Sequence, residues 1–246
     1  MPDKVEQAPQ VNSSVTNKLL SLIESAQEEI LIQSPYVVIS EETQNVFRSL
    51  NRTSPDLKVI VSTNSLAATD NWVTYAANYQ EKRVYLDDLG LEIYEFKPIP
   101  TDIGKMMNYE KLLTRPPFYR EKVLFGAEDF KVNENLLKKL RNKKLINEKN
   151  IFLKTAPYLS LHAKSFVIDK NITFIGSYNL DPRSEIYNTE LGVIIRDDKF
   201  AQVLKESIEQ DINPRNSYLV AMKRNRLIVS TINMVMYRIS EAFPFF

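Results

Sequence analysis

Residues 161–192 read LHAKSFVIDKNITFIGSYNLDPRSEIYNTELG, and the organisation of the chain can be worked out from this stretch. Two short runs rich in β-branched and aromatic residues, Ser165 to Ile168 and Ile172 to Ile175, flank the polar triplet at 169–171. This pattern predicts a β-hairpin. Gly176 ends the second run, and we expect it to allow close approach of a neighbouring backbone.

The same stretch carries side chains suited to phosphodiester chemistry. His162 is the only histidine of the chain, and Lys164 follows two residues later. Because side chains alternate along a strand, both should point to the same side. An imidazole can act as nucleophile or acid near neutral pH. Lys164 supplies positive charge, and Ser177 and Asn179 supply hydrogen-bond donors, so a metal ion is not required.

The spacing of these groups resembles the HKD signature of the phospholipase D superfamily. The pattern His-x-Lys-x4-Asp-x6-Gly-Ser-x-Asn is matched at every signature position over residues 162–179. The resemblance implies that the catalytic residues include His162, Lys164 and Asp169. It also implies that the substrate phosphate is bound by Lys164, Ser177 and Asn179.

Two carboxylates need separate treatment. Glu190 lies where the superfamily has an acidic residue that accepts a hydrogen bond from the motif histidine. A carboxylate in that role fixes the tautomer and supports the imidazolium, and the resemblance therefore makes Glu190 a fourth catalytic residue. Asp169 is the motif aspartate but falls in the predicted hairpin turn. We expect it to organise structure more than to contact substrate.

Segments before the signature, together with its tail, extend the resemblance to the C-terminal half of bacterial cardiolipin synthases. They are Leu31 to Tyr36, Thr63 to Asp70, Leu91 to Phe96 and Ser177 to Ser184, and Pro2 to Val5 resembles the linker between the two halves. The family implies phosphatidyl transfer through a phosphohistidine, with an anionic phospholipid of the phosphatidylglycerol type as substrate. Superfamily sites use two HKD motifs. A chain with one histidine therefore needs a second motif from a homodimer mate or a separate N-terminal half.

Two other functions remain open at this point. Short superfamily members with a single motif are homodimeric nuclease-type phosphodiesterases, with nucleic acid as the partner. The chain could also be an inactive half that serves only as structural partner in a split enzyme. Hydrolysis replaces transfer if water takes the place of the acceptor alcohol.

The alternation of strands and helices from residue 29 to residue 96 predicts the fold class. It indicates an α/β fold with a parallel sheet and helices packed on it. The resemblance implies one phospholipase D-type domain, 13–246, with a mixed, mostly parallel sheet and a linker-like tail at 1–12. Asp70 is expected to cap a long helix that Gly90 ends. The polar loop at 63–70 follows a strand, where open α/β sheets bind ligands.

Composition excludes several kinds of site. The chain has 246 residues, a net charge of +1 and no cysteine, which rules out disulfides and thiolate chemistry. With one histidine and no cysteine a zinc site is not expected, and we predict no cofactor. No signal peptide or membrane-spanning run is seen. The resemblance implies a peripheral location on the cytoplasmic face of the bacterial inner membrane.

Two segments depart from an ordinary domain. Residues 97–157 contain fourteen Lys and Arg against seven Asp and Glu, and 133–146 reads as a basic helix. This basic insertion is either a solvated surface or a flank that attracts anionic head groups or a nucleic-acid backbone. Residues 223–246 are apolar after three basic residues. They could pack on the domain, cover a dimer interface or lie on a membrane surface.

Overall fold

The computed structural model describes residues 14–108 and 158–220. The described strands are β1 (Glu29–Gln33), β2 (Lys58–Asn64), β3 (Leu91–Phe96), β4 (Ser165–Ile168), β5 (Ile172–Gly176), β6 (Gly192–Arg196) and β7 (Ser217–Leu219). The described helices are α1 (Ser14–Glu24), α2 (Glu41–Thr53), α3 (Trp72–Arg83), α4 (Ile103–Met106) and α5 (Asp198–Ile212). Two π-helical turns, Val84–Asp88 and Arg183–Tyr187, complete the described elements.

All seven strands form one sheet in the order β6-β5-β4-β1-β2-β3-β7. β1, β2 and β3 pair in parallel, and the other four pairings are antiparallel. The predicted α/β class and mixed sheet are confirmed. The expectation that parallel pairs would dominate is wrong. The alternation of strand and helix that enforces parallel pairing ends at β3, and a three-residue turn joins β4 to β5, which permits only antiparallel pairing.

The predicted hairpin is present as β4 and β5. Ile168 pairs with Ile172, and Asp169 and Lys170 adopt φ angles of 47° and 63°. A tight turn with two residues at positive φ matches the right-handed twist of the strands it joins, and aspartate tolerates this conformation better than most residues. The hairpin therefore places the segment before β4 and the segment after β5 at the same end of the sheet.

The core lies on both faces of the sheet. Ile30 and Ile32 of β1 are buried with Phe47 of α2 on one face, together with side chains of α1. Leu31, between them, is buried on the opposite face against Ala201 of α5. This alternation follows the two-residue period of a strand, and it makes the sheet the middle layer between two helical layers.

A buried polar network ties α5 to the two central strands. Gln33 Nε2 donates to Asp211 Oδ2 at 2.7 Å, and Ser165 Oγ donates to Gln33 Oε1 at 2.9 Å. Burial raises the pKa of Asp211 to about 6. Because Ser165 opens β4, this network fixes the start of the strand that follows His162 and Lys164.

The helix caps differ in part from expectation. Asn71, and not Asp70, caps α3, because its side chain accepts from Thr74 N at 3.1 Å. Asp70 instead accepts a hydrogen bond from Tyr36. Gly90 has φ of 67° after the π-helical turn that continues α3, so the expected glycine stop is present.

Several predicted segments lie outside the described residues. They are the tail at 1–12, the basic helix at 133–146 and the C-terminal segment at 223–246. The described start of the basic insertion, residues 97–108, packs against the turn before β7. There Arg215 Nη2 donates to Asp102 Oδ1 at 2.9 Å. Among the described helices, none combines the length and apolar character needed to cross a bilayer.

Candidate active site

His162 and Lys164 lie together in the extended segment that leads into β4. Lys164 Nζ is 3.1 Å from His162 Nδ1 and donates to the His162 carbonyl at 3.0 Å. The prediction that both side chains point to the same side is confirmed. With an ammonium donating to Nδ1, a neutral ring carries its proton on Nε2. His162 is exposed, so Nε2 can reach a reactant.

Burial and nearby carboxylates act on the pKa of Lys164 in opposite directions. Partial burial lowers the pKa of the Lys164 ammonium, and Asp70, Glu190 and Asp181 act in the opposite direction. Burial is the larger influence, so the net direction of the Lys164 pKa is downward. The Lys164 amine lies next to the His162 ring.

Ser177 and Glu190 form the second part of the site. Ser177 Oγ donates to Glu190 Oε2 and accepts from Leu191 N at 3.0 Å. Ser177 N also donates to the Leu191 carbonyl at 2.9 Å, which fixes the two segments side by side. Within the described residues Glu190 bonds to Ser177 and not to His162. The role of Glu190 as acceptor from the histidine stays a prediction.

The close packing behind this pair depends on Gly176. A Cβ on Gly176 would overlap the backbone of Leu191 and Gly192. Gly176 N donates to the Lys164 carbonyl at 3.1 Å. The close backbone approach expected at this glycine is present, and it brings the segment carrying Ser177 next to the segment carrying Lys164.

Asn179 lies between two anchoring core residues. Tyr178 and Leu180 are each 1% exposed, and they hold the segment on the sheet. The Oδ1 atom of Asn179 is buried and has no hydrogen-bond partner within the described ranges. Ser177 is exposed, and Asn179 is half-buried between those two core residues. The contact of Ser177 and Asn179 with a substrate phosphate stays a prediction.

Asp169 lies away from these groups. Its carboxylate accepts from the backbone N–H groups of Gln27, Glu28 and Glu29 at 2.8 to 3.1 Å. The length of β4 separates it from Lys164, and five residues of extended chain span roughly 16 Å. Asp169 thus joins the hairpin turn to the start of β1.

Two carboxylates near Lys164 were not singled out as site residues from sequence. Tyr36 OH donates to Asp70 Oδ1 at 2.9 Å, and burial together with Asp70 raises the pKa of Tyr36 to about 12. Burial also raises the pKa of Asp181, whose Oδ1 accepts from Ser184 N at 2.9 Å. The loop at 63–70 was expected at the ligand-binding edge, but no local pattern marked Asp70 itself.

A metal site is not formed by the part of the chain that the structure describes. In residues 14–108 and 158–220, no group of three or more histidine or carboxylate side chains is placed to hold a metal ion. Lys164 is the cation that these residues bring to His162.

A family model described as "Cardiolipin synthase, PLD-like domain" matches residues 19–212. The chain belongs to this family of the phospholipase D superfamily. The chain is 29% identical over 209 residues to cardiolipin synthase C of Escherichia coli (strain K12). That match covers 85% of this chain and 35% of the relative, so the chain spans about a third of the length of that relative.

A solved structure of a synthase has the same fold. Phosphatidylserine synthase of Haemophilus influenzae Rd KW20 matches with a TM-score of 0.52 at 12% identity, covering 93% of this chain and 43% of that chain. NucT from Helicobacter pylori matches with a TM-score of 0.48 at 14% identity, covering 82% of this chain and 89% of that chain. The PLD-like domain and the synthase therefore share their sheet architecture.

Proposed function

We propose that this PLD-like domain supplies one half of a phosphatidyltransferase site that works through a phosphohistidine intermediate. The observation that carries the proposal is the contact between His162 Nδ1 and Lys164 Nζ beside the Ser177–Glu190 pair. The substrate is an anionic phospholipid of the phosphatidylglycerol type. Similarity to cardiolipin synthase C supports this choice.

The reaction needs two histidines. One imidazole nitrogen attacks phosphorus, the phosphorus–oxygen bond to the leaving alcohol breaks, and the other histidine gives that oxygen a proton. The second histidine then takes a proton from the hydroxyl of a second lipid. That oxygen attacks phosphorus and the phosphorus–nitrogen bond breaks. Lys164, Ser177 and Asn179 offset the charge on the phosphoryl oxygens.

The position of Glu190 matters for the first step. Attack through Nε2 requires an unprotonated Nε2, so the ring proton must reside on Nδ1. A carboxylate that accepts from Nδ1 favours that tautomer. In the proposed complete site Glu190 leaves Ser177 and takes this role, and Ser177 Oγ then donates to the phosphate. When Lys164 donates to Nδ1, a neutral ring carries its proton on Nε2, which is the tautomer of a proton donor.

Activity on two substrates separates the proposed function from the alternatives. We expect the assembled protein to transfer or hydrolyse phosphatidylglycerol in vesicles at least about tenfold faster than it cleaves single-stranded DNA under the same conditions. Head-group release and DNA cleavage are measured over the same protein concentrations. Cleavage of DNA without turnover of phosphatidylglycerol would establish the nuclease-type alternative. Turnover only after a separate N-terminal half is added would identify a split enzyme.

An exposed apolar surface beside Glu190 suits the missing half. Leu191 is 77% exposed and Val193 is 57% exposed, and Val193 lies directly opposite Ile175 in the β5–β6 pairing. Tyr187 is also largely exposed. We propose that this β6 surface, comprising Ile175, Tyr187, Leu191 and Val193, packs against a second PLD-like domain. A contiguous apolar patch next to an incomplete site marks an interaction surface.

The β6 surface predicts the solution mass of the chain. Light scattering at several concentrations should show a dimer, and Val193→Glu should shift it to monomer because a carboxylate would be buried at the interface. Leu219→Glu is the matched control, since Leu219 is equally exposed at 57% but lies on β7 at the far edge of the sheet. A dimer that survives Val193→Glu, or is lost equally with Leu219→Glu, would contradict this surface.

A further inference from the structure

The side chain of Asn64 holds both backbone groups of the residue before His162. Leu161 N donates to Asn64 Oδ1 at 2.8 Å, and Asn64 Nδ2 donates to the Leu161 carbonyl at 2.9 Å. Asn64 ends β2 and is 2% exposed. Both bonds are therefore shielded from water, where an amide partner cannot easily be replaced.

The His162 segment has little other backbone support. β4 begins only at Ser165, and no backbone–backbone hydrogen bond joins Leu161, His162 or Ala163 to a strand within the ranges 14–108 and 158–220. Strands normally fix their residues through such bonds. The Asn64 amide takes the place of that pairing, since it offers one acceptor and one donor side by side.

The Nδ2 atom of Asn64 has a second contact. Asn64 Nδ2 lies 3.4 Å from the Pro35 carbonyl, and Thr63 Oγ1 donates to the same carbonyl at 3.3 Å. Pro35 belongs to the segment that follows β1. The Asn64 side chain thus connects three segments at the carboxyl edge of the parallel strands.

We infer that Asn64 is a positioning residue for His162. It does not touch the reacting atoms. It fixes the Leu161 peptide. That peptide in turn sets the direction in which the imidazole of His162 points. The inference rests on the proposed catalytic role of His162. Displacing a reacting group by about 1 Å lowers a rate about a hundredfold. The loss of the two hydrogen bonds between Asn64 and Leu161, here called the clamp, should therefore be visible in kcat.

Asn64→Asp tests the clamp with almost no change in size. The variant keeps the acceptor for Leu161 N but faces the Leu161 carbonyl with a carboxylate oxygen. At pH 8 we expect kcat to fall about a hundredfold while KM stays within about threefold. As the pH falls, the buried carboxyl gains a proton, becomes a donor again, and the rate relative to wild type at the same pH recovers.

A second readout does not depend on substrate. His162 is the only histidine, so the chain has a single imidazole signal in NMR spectra. At pH 8 the chemical shift of this signal should differ between Asn64→Asp and wild type, and the difference should shrink at lower pH. If neither the chain alone nor the chain with a second PLD-like half turns over lipid or DNA, the proposed function fails, while the NMR comparison still tests the clamp.

Asn216→Asp is the matched control. Asn216 is fully buried, its Nδ2 donates to the Gln210 carbonyl at 2.8 Å, and its Oδ1 accepts from Asp102 N at 3.1 Å. This substitution breaks the same kind of clamp next to β7, and neither of its two bonds involves Leu161 or His162. It should lower the melting temperature while leaving the imidazole signal and kcat unchanged.

The outcomes separate positioning from general destabilisation. A change in the imidazole signal and in kcat that occurs only in Asn64→Asp, and that lower pH reverses, supports the inference. A wild-type imidazole signal and wild-type kcat in folded Asn64→Asp would overturn it, as would equal changes in Asn216→Asp. If Asn64→Asp does not fold, Asn64→Ser removes the two-sided clamp without adding charge. The imidazole signal and kcat of Asn64→Ser then decide the inference.

Discussion

His162→Ala is expected to lower the rate of phosphatidyl transfer by at least about a thousandfold. The imidazole either forms the bond to phosphorus or gives the leaving alcohol its proton, and alanine can do neither. The fold should remain, because His162 is exposed and its side chain is bonded only to Lys164 in the described part of the chain. Initial rates on phosphatidylglycerol vesicles and thermal unfolding curves check both statements.

The control for His162→Ala is a substrate with a different leaving group. A lipid analogue with a nitrophenol leaving group departs without a proton, so it bypasses a lost acid but not a lost nucleophile. In a homodimer both histidines of the site are His162, so the variant loses acid and nucleophile together and should stay inactive on this analogue. Where the second histidine comes from a separate half, recovery on this analogue would make His162 the acid. Continued inactivity there, with a phosphoryl label on His162 of the wild type, would make it the nucleophile. More than about a thousandth of wild-type activity on the natural lipid would defeat the assignment.

Part of the geometry of the candidate site could be anticipated because it is local in sequence. Residues 161–192 contain the strand periods, the turn and the polar spacing, so the hairpin and the shared side of His162 and Lys164 follow from short-range geometry. The close backbone approach at Gly176 could be anticipated in the same way. All of these features depend on neighbours within a few residues or on one strand pairing.

The parts that could not be anticipated depend on contacts between distant segments. Asn64 binds Leu161, which lies 97 residues later in the chain, and nothing in the loop at 63–70 indicates that partner. By sequence Asp70 fits a helix cap, but in the structure its carboxylate accepts a hydrogen bond from Tyr36. The balance of parallel and antiparallel strand pairs also depends on where the strands after β3 join the sheet. Local sequence patterns do not determine that position.

Asp169→Ala should destabilise the domain by about 2–4 kcal/mol, since a hydrogen bond to a charged acceptor contributes about 1.5–3 kcal/mol and this site is partly exposed to water. Three backbone N–H groups, of Gln27, Glu28 and Glu29, lose their shared acceptor. Alanine also tolerates the φ of 47° at this position less well than aspartate. Urea unfolding monitored by circular dichroism measures the loss.

Turnover by the folded Asp169→Ala fraction should stay within a few fold of wild type, because Asp169 and His162 lie at opposite ends of β4. Asp169→Asn gives the graded comparison. Its Oδ1 still accepts from Glu28 N and Glu29 N, and asparagine tolerates positive φ, so it should lose about half as much stability. A stable Asp169→Ala chain without turnover would place the carboxylate in the chemistry. Lost stability with retained turnover would instead make this motif aspartate the tie between the hairpin turn and β1, with its effect on catalysis limited to keeping β4 in register.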